Sequence, residues 1–203
     1  MMKRPGSGRA RTAAVLVAVL LATGACTGDD PADDTPDGPS DEAEVVQEVQ
    51  LVTRVGVVTG KLQPVRRKAL AHRVGEIVDA WFDAAYLGGD YPRTGFADAF
   101  PGFTRDAAAL ARRDRDLLTN ARIGQRIDGV VPLRKSVKVD LLSPGRRPAG
   151  ATARFRLEFL TTGGLERRVV VNGRLMLARV HGAWKVFAYD VRRSVRSAEG
   201  SGQ

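Results

Sequence analysis

The chain has one cysteine, Cys26, and two histidines, His72 and His181, among 203 residues. A lone thiol rules out an internal disulfide, and in an oxidising compartment it has no partner in its own chain. One thiol and two histidines leave almost no raw material for a zinc site or for a Ser-His or Cys-His triad. No metal or cofactor is expected. No apolar run reaches the roughly 20 residues that a bilayer-spanning helix needs. Gly56-Val57-Val58-Thr59-Gly60-Lys61-Leu62 falls short of a phosphate-binding loop. It has too few residues between its glycines, and Leu62 stands where a magnesium-binding hydroxyl belongs.

Charge of one sign is missing from two segments. Residues 1 to 13 carry Lys3, Arg4, Arg9 and Arg11 and no acid; residues 27 to 44 carry eight acids, no base and no large apolar side chain. Between them lie the apolar run AAVLVAVLLA at 13 to 22 and then small residues up to Cys26. Charged, apolar and small segments in that order make a secretory signal over 1 to 25. Leu21-Ala22-Thr23-Gly24-Ala25-Cys26 resembles the bacterial lipobox, with Thr23 where leucine is usual. That resemblance implies a thiol carrying diacylglycerol, which becomes the first mature residue. Two acyl chains meet the two-signal requirement for stable anchoring, so the implied address is the outer face of a cell membrane. The alternative is an ordinary secreted protein with an incidental cysteine. Low hydrophobicity with high charge predicts that 26 to 44 is a disordered linker.

From Val45 onward 28 Lys and Arg face 15 Asp and Glu, a net of +13; the linker's eight acids reduce the mature chain to +5. A domain this basic suggests anionic partners, phospholipid headgroups or envelope polymers, with nucleic acid not expected. Arg154, Arg156, Arg167, Arg168 and Arg174 are the candidate anion-binding set. The alternative is that these bases are scattered over solvated faces.

Residues 45 to 195 are one domain in size, and 196 to 203 read as a disordered tail. Alternation of Val45, Val49, Leu51, Val55 and Val57 with polar residues predicts a strand. Pro64 opens a helix whose apolar stripe is Leu70, Val74, Ile77, Val78, Trp81 and Ala85, ended by Gly88-Gly89. Residues 96 to 103 should hold a short helical turn and a Pro-Gly turn. Thr104 caps a second helix with Leu110, Ala111, Leu117 and Leu118 inward and Asn120 at its end. Val137, Val139 and Leu141 alternate, as do Ala153, Phe155, Leu157 and Phe159. Residues 166 to 180 read as one long strand, bulged or bent at Asn172-Gly173, turning at His181-Gly182 into a last strand. The class is α+β: helices packed on a curved antiparallel sheet.

Helices followed by bent strands ending in Gly182-Ala183-Trp184-Lys185-Val186-Phe187-Ala188-Tyr189-Asp190 resemble the nuclear-transport-factor-two-like (cystatin-like) superfamily over residues 64 to 195. The whole chain is similar to uncharacterised actinobacterial lipoproteins. The superfamily resemblance implies a cone-like sheet whose mouth the helices cover. Family enzymes place an acid or tyrosine inside that cone, which makes Asp83, Tyr86, Asp90, Tyr91 and Tyr189 candidates, Asp83 and Tyr86 lying three apart on one helix. Against this, Asp83 on the outer helix face, Tyr86 in the core and Asp90 and Tyr91 in a turn fit the same pattern. His72, paired with Glu76, and His181, in a turn, read as solvated. The leading functional expectation is a lipid-anchored extracytoplasmic binding or scaffolding domain without catalysis, able to form a homodimer. The alternatives are a small proton-transfer enzyme of isomerase or dehydratase type with an apolar pocket, and a binder of anionic envelope polymers or lipid headgroups.

Overall fold

Alternating apolar and polar side chains give the sheet its five strands: β1 Leu51–Gly60, β2 Gly129–Ser143, β3 Gly150–Thr162, β4 Arg167–Val180 and β5 Ala183–Ser197. The computed structural model describes residues 48–197, so the expected signal peptide, Cys26, the acidic linker and residues 198–203 lie outside the described residues. The strands stand in sequence order across one sheet. From β2 to β5 each neighbour is antiparallel.

The expectation of a wholly antiparallel sheet is corrected at one edge, where β1 runs parallel to β2. The whole helical segment lies between these two strands. It supplies the long crossover that a parallel pair requires and a tight turn cannot make. The early strand therefore extends the sheet, which is mixed.

Helix α1, Pro64–Phe82, begins at a proline whose missing amide hydrogen costs nothing there. It continues as a single π-helical turn, Asp83–Leu87, and stops at Gly88. Its buried stripe holds Leu70, Ala71, Val74, Val78, Trp81, Phe82 and Ala85, with Ile77 only partly buried. Residues 96–103 form turns without a helix, yet Phe96, Phe100 and Phe103 are buried. Helix α2, Arg105–Arg113, is capped by Thr104, whose Oγ1 accepts from the Ala107 amide at 3.2 Å. The chain breaks at Asp114 before the single turn α3, Arg115–Leu118. That break corrects the expected inward set. The helix buries Ala107, Ala108 and Ala111, and Leu110 is 51% exposed.

All the helices cover the same face of the sheet. Val137, Val139 and Leu141 of β2, Ala153, Phe155, Leu157 and Phe159 of β3, and Val169, Val171, Leu175 and Leu177 of β4 are buried against them. The centre is aromatic: Trp81 and Phe82 meet Phe155 edge-on, with ring centroids 5.2 and 5.6 Å apart. Trp81 Nε1 is buried there without an acceptor among the described residues, a cost of about 1–3 kcal/mol set against the packing.

β4 is one continuous strand, as its length suggested. Gly173 stays in register with Phe155 and Val191, so no bulge falls there, although its φ of 154° departs from ordinary strand geometry. A Cβ at Gly173 would collide with the Asp190 carbonyl, so glycine here lets β5 approach. The bulge lies further on, between Met176 and Leu177, where Phe187 of β5 is the extra residue. His181 and Gly182, with φ of 48° and 84°, form a two-residue hairpin loop between the paired Val180 and Ala183.

Replacing the ring at the centre tests this arrangement. Phe155→Ala should cost about 3–5 kcal/mol, read as a lower denaturant midpoint at unchanged slope.

Candidate functional site

A strand that buries its odd-numbered residues must turn its even-numbered ones the other way. On β3, β4 and the part of β2 beyond its bulge at Leu133, the even positions face away from the helices, and no element among the described residues covers them. Register assembles a row there that no single strand reveals. Arg54 pairs with Lys138, Lys138 with Arg154, Arg154 with Arg174, and Arg174 with Asp190. Four cations thus stand side by side on strands about 4.8 Å apart. Like charges directly opposite each other destabilise a sheet. The next row reads Ser136, Arg156, Asn172 and Arg192, and Arg134 opposite Glu158 follows.

Three acids share this face. Asp140 Oδ2 meets Arg154 at 2.6 Å, and its Oδ1 accepts from the Val57 amide at 2.8 Å. Asp190 meets Arg174 at 3.2 Å. Glu158 is held by two arginines, Arg156 at 3.0 Å and Arg168 at 2.5 Å. Burial pushes the Glu158 pKa up, but the hydrogen bonds and charges of Arg168 and Arg156 outweigh it, and the net shift is downward. Arg54, Arg134, Lys138, Arg192 and Arg196 have no acid within ion-pair distance among the described residues.

Of the expected anion-binding set, Arg154, Arg156, Arg168 and Arg174 share this face. Arg167 does not. It pairs with the buried Thr161, on the helix side of the sheet, and its Nη1 donates to the Glu166 carbonyl. At the far end the face becomes apolar, around Val57, Leu142, Met176 and Phe187.

The catalytic candidates occupy separate places. Tyr86 is fully buried and its hydroxyl donates to the Leu117 carbonyl at 3.0 Å; burial pushes its pKa well up. Asp83 is exposed, beside the ion pair of Lys135 and Asp79. Partial burial of its carboxyl raises its pKa, Lys135 opposes, and Asp79 and Glu48 add to the rise. No hydrogen bond joins the Asp83 and Tyr86 side chains. Tyr91 donates to the Tyr86 carbonyl at 2.8 Å, and Asp90 is exposed in the adjoining loop. Tyr189 donates to Asp114 Oδ2 at 2.6 Å; burial and that carboxylate both push its pKa up. His72 lies 3.4 Å from Glu76 on the exposed flank of α1, and His181 is exposed in its hairpin loop.

Two charged residues on the helix side, Lys135 and Arg193, escaped the sequence reading, and the reading of Asn120 as a helix end is incomplete. Lys135 Nζ, 7% exposed, lies 2.8 Å from Asp79 Oδ1, off the hydrogen-bonding direction, so the contact is one of charge. Asn120 is not a simple helix end. Its amide nitrogen donates to the Tyr86 carbonyl and the Tyr91 hydroxyl, and its oxygen accepts from Arg193 at 3.2 Å. Arg193 Nη1 also donates to the Thr119 carbonyl at 2.7 Å. Lys135 and Arg193 share the phase of their core-facing neighbours Val137 and Val191, which is the signal that marks both. Among the described residues no three His, Cys, Asp or Glu side chains form a metal-holding group, and no helix is long and apolar enough to cross a membrane.

The sign of pH dependence follows from Glu158. Its folded pKa lies below the ordinary 4.5, so its contribution is present above that value and is lost as pH falls through the folded one. Melting temperatures measured from neutral pH down to about pH 3 should fall more for the native chain than for Glu158→Gln. Comparison of the chain with protein-family models, with curated proteins and with solved structures gave no match.

Proposed function

We propose that the domain is a non-catalytic binding module of nuclear-transport-factor-two-like type, anchored through a lipidated Cys26 on the outer face of a cell membrane. Its open sheet face holds an anionic surface, and lipid headgroups are the favoured partner. The observation that carries this reading is the cross-strand row of Arg54, Lys138, Arg154 and Arg174. A sheet tolerates four adjacent cations at a cost, and an anion lying across the strands offsets that cost. A lipid-anchored domain meets the membrane surface at high effective concentration, and each Lys or Arg near an anionic bilayer contributes about 1 kcal/mol. The helices gathered between β1 and β2, followed by four long antiparallel strands with bulges, support the superfamily reading, in which the sheet curves into a cone. The separation of Asp83 from the Tyr86 hydroxyl favours binding over proton transfer.

The experiment uses the full chain carrying Cys26→Ser, so that no acyl chain contributes to binding. It should bind vesicles containing phosphatidylglycerol at low salt and release them as the Debye length falls to about 8 Å at physiological ionic strength. Lys138→Ala with Arg192→Ala should weaken that binding by about 30-fold. Binding indifferent to salt, or unaffected by the two substitutions, would contradict the proposal. Preference for a soluble anionic polymer over vesicles would move the partner to the envelope polymers. In cells, the native protein should resist a high-salt wash of the membrane fraction and Cys26→Ser should be released by it.

A further inference from the structure

We propose a second, separate anion site in the cleft between the β1–α1 loop and the β2–β3 connection, and we assign it to a phosphate group carrying at least two negative charges. The cleft has a volume of about 600 Å³ and is lined by Gly60, Lys61, Leu62, Gln63, Arg66, Arg67 and Arg146. Four of these seven residues are cationic and none is an acid. No ion pair involves any of the four among the described residues. Like charges gathered in one concavity repel each other, and a cleft focuses their field on whatever enters it. A single carboxylate would neutralise only one of them. A phosphate monoester or diphosphate matches the excess and suits the forked donors of arginine.

The chain builds the cleft from three places. Gly60 ends β1 at φ 95°, and a Cβ there would strike the Ser143 carbonyl, so the loop passes directly beside the end of β2. Ser143 Oγ then donates to the Lys61 carbonyl at 3.2 Å and fixes that approach. Arg67 Nε donates to the Leu62 carbonyl at 2.7 Å, which steadies its guanidinium while leaving the terminal nitrogens available. Arg146 reaches the same cleft from the turn Pro144–Arg146 with φ 66°, a left-handed conformation uncommon for so large a side chain. The site lacks the spacing and the hydroxyl of a nucleotide loop, and the phosphate chemistry proposed here needs neither. It does not depend on the open sheet face, since Arg66 and Arg67 lie on α1 and none of its cations belongs to the cross-strand row.

The phosphate can be free or borne by a lipid, and two probes distinguish these. The full chain carrying Cys26→Ser is titrated calorimetrically with pyrophosphate and, separately, with vesicles containing phosphatidic acid. Arg66→Ala with Arg146→Ala removes two exposed cations that no described hydrogen bond uses, and circular dichroism checks that the fold persists. The expected result is saturable binding that this pair of substitutions weakens by at least about ten-fold. Lys138→Ala with Arg192→Ala should leave pyrophosphate binding unchanged, which separates failure here from failure of the sheet-face proposal. Pyrophosphate binding lost in the cleft variant supports a free phosphate ligand; vesicle binding alone, lost in the same variant, supports a lipid-borne one. Three results would overturn the site: no binding of either probe, equal binding by the cleft variant, or an effect reproduced by sodium chloride at the same ionic strength.

Discussion

The structure depends on a mismatch between a five-stranded sheet and helices that cover one of its faces. Odd-numbered residues of β3, of β4 and of β2 beyond its bulge at Leu133 go into the core with Trp81, Phe82 and Phe103, and their even-numbered neighbours are committed to the opposite side. Most of the face left to solvent is polar with an excess of one sign, and its far end around Val57, Leu142 and Phe187 is apolar. Core formation and the cationic surface are therefore two consequences of the same alternation. A residue cannot move from one to the other without slipping the register of its whole strand.

The helical layer is held to the sheet by more than apolar contact. The π-helical turn after α1 leaves carbonyls without helical partners. Asn120 supplies donors to both of them, through its backbone amide to Ala85 and its side chain to Tyr86, and Tyr91 adds a further bond to Tyr86. Arg193 reaches from β5 across to Asn120 and the Thr119 carbonyl. Burial lowers the pKa of this guanidinium, and carbonyl dipoles take the role a counter-ion would have. The Tyr91 hydroxyl is consumed here and the Tyr86 phenol is held separately by the Leu117 carbonyl, so two of the groups a catalytic site would have used are engaged. The open face and the cleft at the end of β1 stay polar and accessible.

Much of this was legible from residue order, and the gaps have physical causes. Period-two patterns gave β3 and β4, the Pro64 start gave α1, and Thr104 gave the cap of α2. The direction of β1 was not legible, because alternation shows which face a strand buries and nothing about which way its partner runs. Leu110 looked buried only while α2 was continued through Asp114; with the break there, three alanines hold that side. The grouping of Arg167 with Arg168 was answerable in advance, since adjacent residues of one strand point to opposite faces. The rows of cations were not, because they depend on pairing between strands distant in sequence. Asp83 and Tyr86 share a helix, yet the turn widens into π geometry at Asp83–Leu87, and their side chains go to solvent and to core.

The central claim is that an anionic surface lies across the open face, and lysine positions allow a direct reading of it. Lys138 stands in the cationic row, and Lys68 is exposed on α1, on the helix side of the sheet. Amine acylation of the full-length chain, quantified by mass spectrometry with and without phosphatidylglycerol vesicles, reports the two independently. The account predicts that vesicles protect Lys138 and leave Lys68 as reactive as before. Protection at Lys68, or equal reactivity of Lys138 in both conditions, would contradict it.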